Sequence, residues 1–167
     1  MKLRSWYGIA FNLVLAALVI TGAVLFTSHS RGKNQFLQIR DTHSGKLYGK
    51  WPLEAAGEFS IEFVHSVHQS PVREFFAIDN AMIKPVSVRF SAFGAGMQSD
   101  LEEGQVLSRD GDTMVISGFK SSSQELHYIV GTVSDHLLHI NGQEVSLLKL
   151  CGKNAHITVQ YNGGKNK

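Results

Sequence analysis

Cysteine is nearly missing from this chain. With Cys151 alone, no disulfide can close within it and no CxxC pair exists to hold a metal or exchange thiols. Such a solitary thiol reads as a small buried hydrophobe rather than a nucleophile. HExxH, EF-hand and paired CxxC patterns are absent, and so is the GxSxG elbow that would expose a catalytic serine. The expectation is therefore no enzyme, no metal and no cofactor. Charge of one sign is missing too, with 16 Lys and Arg against 14 Asp and Glu. Without a basic stripe, nucleic acid is not an implied partner. Proline occurs three times only, so long stretches of backbone are free to pair. What is plentiful is apolar material: 43% hydrophobic residues, including ten Phe, are enough for a core and exclude global disorder.

Long hydrophobic runs are confined to the N-terminus. Lys2 and Arg4 precede an apolar stretch from Trp6 to Phe26, broken only by Asn12, Thr21 and two glycines. About 20 such residues, rising about 1.5 Å each, cover a bilayer core. A cleaved signal peptide could use Thr21-Gly22-Ala23, but cleavage there would strand Val24, Leu25 and Phe26 on the mature end. An uncleaved anchor over residues 1–27 fits better. A polar linker, 28–34, follows, and the body then lies outside the cytoplasm.

From Gln35 the period changes to two. Short β-rich runs separated by turn residues predict an all-β domain over 35–162, a sandwich or partly open barrel, and a frayed tail at 163–167. Asp110-Gly111 and Asn141-Gly142 read as type I′ hairpin turns. No helix longer than one turn, at Ser99–Gln105, is predicted in the body.

The stretch from Phe63 to Phe76 places two polar residues where apolar ones are expected. On one strand Phe59, Ile61, Phe63, His65 and Val67 share a face; on the next, Val72, Glu74, Phe76 and Ile78 do. Setting Val67 opposite Val72, with Pro71 in the loop, pairs Phe63 with Phe76, Ile61 with Ile78 and His65 with Glu74. The bland reading of that last pair is an ion pair fixing strand register; the sharper one is the floor of a ligand pocket. On either, removing His65 would strand a buried carboxylate. Metal binding by His65, His68 and Glu74 is disfavoured because the two histidines face apart on an extended strand. His65 and Ser66 face apart likewise and form no dyad. His139 falls opposite Glu144 across the Asn141-Gly142 turn, an exposed cross-strand pair. Phe93, Gly94, Ala95, Gly96 and Met97 form a glycine-bearing turn whose amides could cradle an anion, although no lysine or helix makes it a P-loop.

His65, Ser66, Val67, Pro71, Val72 and Glu74, together with the Phe93-Gly94-Ala95-Gly96-Met97 turn, resemble the two signature stretches of a bacterial family, the domain of unknown function eighteen-fifty. Gln98 stands where that pattern has proline. For a bacterial chain, the anchor read above sets the protein in the inner membrane as a single pass, with its body in the periplasm or outside the cytoplasm. The resemblance implies a neighbour: TAXI-type TRAP transporters, built from a solute-binding protein and a permease. The expected function is a membrane-anchored accessory subunit in solute uptake, touching the bilayer through residues 6–26 and a permease or solute-binding protein through its body. The alternative is a β-domain that binds a small acidic solute, with Arg73 and Arg89 attracting it. No catalytic residues come with the resemblance.

Overall fold

The computed structural model describes residues 35–66, 69–91, 101–131 and 134–163. The expected anchor and linker, the 93–97 turn and residues 164–167 lie outside them. Among the described residues no helix is long and apolar enough to cross a membrane.

Eleven strands and one short helix follow in chain order: β1 (Phe36–Asp41), β2 (Leu47–Pro52), β3 (Glu58–Val64), β4 (Pro71–Asp79), β5 (Met82–Phe90), β6 (Val106–Asp110), β7 (Thr113–Ser117), β8 (Glu125–Val130), β9 (Leu137–Ile140), β10 (Gln143–Ser146), α1 (Leu147–Cys151) and β11 (Ala155–Asn162). The strands form two open antiparallel sheets, ordered β2-β1-β11-β8 and β10-β9-β3-β4-β5-β7-β6. The all-β expectation holds, and neither sheet closes into a barrel.

Period-two alternation explains the core. Leu37 and Ile39 of β1, Ile157 and Val159 of β11, Phe59 and Ile61 of β3, and Leu138 and Ile140 of β9 are all buried in one cluster. That cluster draws on both sheets, so each sheet covers the other's apolar face. A smaller cluster, Val72, Phe90 and Ile116, fills the space under β4, β5 and β7. One corner is tied by backbone: Ile83 and Ser123 exchange both amide hydrogen bonds, at 2.7 and 2.9 Å.

Two elements differ from the sequence reading. β2 is an edge strand holding Gly49 and Pro52, residues that weaken a strand signal but suit an edge. The Trp51 ring lies across Gly49, so close that a Cβ there would be 2.3 Å from the ring. The stretch Leu147–Cys151, where no helix was expected, is one helical turn. Ser146 caps it by accepting from the Lys149 amide at 3.1 Å, and Asp135 accepts from the Leu148 amide at 2.9 Å. These caps, one of them from a distant loop, turn the chain helical where the apolar pattern alone could not.

The turns sort themselves by φ. Asn141 and Gly142 have φ of 52° and 72°, the two positive values a type I′ hairpin needs. In the β6–β7 hairpin Asp110 pairs with Thr113, so the central residues are Gly111 and Asp112, and only Gly111 is positive, at 61°. That excludes type I′ there. The β4–β5 turn is Asn80-Ala81, and Ala81 has φ of 63°. An alanine in the left-handed region is strained by about 1–2 kcal/mol. Ala81→Gly is expected to stabilise the protein by about 0.5–1 kcal/mol after the entropy cost of glycine is subtracted. A thermal melt checks this, and a lower Tm would contradict it.

Candidate functional site

β3 and β4 pair as predicted in partnership and face, but not in register. Phe63 lies opposite Val72, Phe59 opposite Phe76, and Ile61 opposite Glu74. The predicted pairing of His65 with Glu74 is therefore wrong. β3 ends at Val64, and beyond it the His65 amide bonds Ser70 O and the Gln69 amide bonds His65 O, each at 2.9 Å. Those bonds end the strand sooner than the apolar pattern does. His65 is half-buried and Ser66 is exposed, while Pro71 opens β4. Residues 93–97 and His68 lie outside the described residues.

Glu74 does face the interior, and it finds another partner. Tyr128 of β8, on the opposite sheet, donates its hydroxyl to the Glu74 carboxyl at 2.6 Å. Burial raises the Glu74 pKa and the tyrosine hydrogen bond opposes that rise. Burial, with the carboxylate beside it, also pushes Tyr128 upward. Next along, the His136 ring stacks on Phe63 at 5.1 Å between centroids and meets Tyr128 edge-on at 6.1 Å. Burial lowers the His136 pKa, favouring neutral imidazole. This is a polar seam between two sheets, and neutral imidazole among aromatics serves packing as well as it serves chemistry. Sequence reading singled out Glu74 and missed Tyr128 and His136, because contacts between sheets leave no local spacing.

The opposite, outward face of the seven-stranded sheet is shaped differently. A groove of about 700 Å³ runs across it. Its lining includes Arg73 and Phe75 from β4, Val86 and Arg89 from β5, Ser60 from β3 and His139 from β9. A register shift between Phe75 and Phe76 opposes Phe75 to Ser87 and Phe76 to Pro85. Val86 is thus left over as a bulge that also accommodates the proline, and bulges re-aim nearby side chains.

The groove's polar residues brace one another. Arg73 Nε donates to Ser60 Oγ at 2.9 Å, and Arg73 lies 3.8 Å from Glu62. His139 sits 3.3 Å from Glu62 and 3.9 Å from Glu144. The pairing of His139 with Glu144 across the turn is the expected one. The histidine is half-buried, however, and its Nε2 approaches Glu62 off-axis without an aligned hydrogen bond. Ser60 is 3% exposed beneath these side chains.

Two other features stand apart from both places. Burial raises the Cys151 thiol to about 11, so the thiolate needed for nucleophilic attack is scarce at neutral pH. Among the described residues, no three His, Cys, Asp or Glu side chains gather closely enough to hold a metal ion.

Two open sheets packed face to face, a braced seam inside and a lined groove outside describe an all-β domain. The chain belongs to the family described as Domain of unknown function (DUF1850), whose model matches residues 59–147, from β3 through the start of α1. No curated protein and no solved structure matches it.

Proposed function

We propose that this chain is a binding module that serves as an accessory subunit in solute uptake, tethered to the membrane through residues 6–26. One observation carries the binding half of this reading. Four strands converge side chains of mixed character (two arginines, a phenylalanine, a histidine and a buried serine) onto one groove on an otherwise solvated sheet face. Solvated faces of antiparallel sheets need no such order, since exposed polar side chains gain little from being fixed. The apolar run at the N-terminus and the transport context implied by the sequence resemblance support the accessory role.

The test is co-purification. The full chain, extracted in mild detergent at native expression, is expected to bring down a transporter permease or its solute-binding protein, identified by mass spectrometry. Phe75→Glu, which places a charge in the groove, should cut that recovery by roughly tenfold, about 1.4 kcal/mol. Recovery of the wild-type chain as a lone monomer would overturn the accessory role.

A further inference from the structure

Resting on the reading of the outer face as a binding surface, we infer that Arg73 and Arg89 form a carboxylate-binding site with Phe75 as its floor. The two arginines are direct cross-strand partners on β4 and β5. Like charges set opposite each other in a sheet repel. Here both guanidinium groups also gather over one ring, with the Arg73 and Arg89 carbons 5.0 and 5.3 Å from the Phe75 centroid. Stacking on an aromatic face leaves the N–H edges of a guanidinium available for in-plane bonding.

Among the described residues the acids beside that pair make only long contacts with it. Glu62 approaches Arg73 at 3.8 Å and Asp110 approaches Arg89 at 3.9 Å, each through a single long contact from the outer side. Glu62, Arg73 and Arg89 thus stand in one cross-strand row, with the two positive charges adjacent, and Asp110 reaches Arg89 only by its side chain from β6. An oxyanion between the arginines would separate those charges and accept short, paired N–H bonds that neither internal acid makes.

The rest of the groove selects among anions. Glu58 and Glu144 also line it, so a doubly charged phosphate meets more repulsion than a singly charged carboxylate. Phe75 and Val86 offer apolar surface beside the charges, which suits a carboxylate carried on a carbon skeleton. That chemistry is shared by free dicarboxylates and by Asp or Glu side chains of a partner segment.

Calorimetric titration of the full chain in detergent separates the sources, using succinate and malate in one arm and a short glutamate-rich peptide in the other. Heat from either arm, weakened roughly tenfold or more by Arg89→Gln and unchanged by Arg109→Gln, supports the site. Response to the small acids identifies a solute; response to the peptide alone identifies a partner segment. Arg89 is half exposed, so its replacement leaves the fold intact, and a thermal melt of the variant verifies this. Flat heats in both arms, or binding indifferent to Arg89→Gln, would overturn the carboxylate site. The co-purification above reads the accessory role separately, because a partner can still be recovered when both titrations are flat.

Discussion

Removing the Tyr128 hydroxyl is expected to destabilise the domain by about 2–3 kcal/mol at neutral pH, out of proportion to the one atom lost. Tyr128→Phe keeps the ring and its packing, so the change isolates the 2.6 Å bond to Glu74. A single hydrogen bond between groups with easy access to water contributes about 1 kcal/mol; here the carboxyl is left among apolar neighbours with its donor gone. Ile61 and Val88 are its cross-strand partners, and neither can donate from its side chain. Replacing both members, Glu74→Leu with Tyr128→Phe, should recover most of the loss, because no polar group is then stranded. Chemical denaturation of the single and double variants measures this, and a Tyr128→Phe protein as stable as the parent would show that the seam contributes nothing.

The same pair gives stability a pH slope of known sign. The Glu74 pKa is raised above its ordinary 4.5 in the folded protein. The folded state therefore binds more protons than the unfolded state between those two values, and stability falls as pH rises through that window. The contribution is fully present below about pH 4.5. Glu74→Gln should abolish this component, visible as the difference between the two proteins' stability curves. In Tyr128→Phe the window should extend to higher pH, since the bond that held the pKa down is missing.

The second large effect comes from a glycine. Gly118, just past β7, has φ of 83°, and a Cβ placed on it would sit 2.2 Å from the carbonyl oxygen of Gly104. The obstacle is backbone, so no rotamer change relieves it. Gly118→Ala should cost about 3 kcal/mol, the left-handed penalty plus the displacement of the 104–105 loop, and lower Tm by about 10 °C. Gly111→Ala provides the control: its φ is 61° and nothing lies within 4 Å of the added carbon. It should show the conformational part alone, about 1–2 kcal/mol. Equal losses at the two positions would mean that the loops part freely.

The β3–β4 hairpin shows how much of this fold was legible in advance. Alternation assigned the inward face within the two strands: Phe59, Ile61, Phe63 and Val72, Glu74, Phe76 do point inward or pack on the core, whereas His65, placed on the same face, falls beyond the end of β3. It failed on register because it can detect only odd slips. The expected pairing placed Val67 opposite Val72, whereas Phe63 stands there. That is a displacement of four residues, which preserves both faces and keeps two of the pairings apolar, while Ile61 now stands opposite Glu74. The deciding factor was the pair of backbone bonds that His65 makes with Ser70 and Gln69, and nothing in a hydrophobic pattern reports those. β2 was hidden by Gly49 and Pro52, and α1 by its shortness.

The candidate sites divide along the same line. Arg73 and Arg89 could be picked out as cations on alternating positions, but their opposition depends on the β4–β5 register and its bulge. Glu74 stood out as a charge on an apolar face, and its partner came from 54 residues away. Polar signals in a sequence mark where compensation is needed without naming what supplies it.

The doubled amide contact of Ile83 with Ser123 gives the molecule a pinned flank. It lies beside the β4–β5 turn, at the far end of β4 from Glu74. The two layers are thus stitched there by main chain, so side-chain replacements short of proline leave that tie intact, whereas the tyrosine–carboxyl contact is lost with a single hydroxyl.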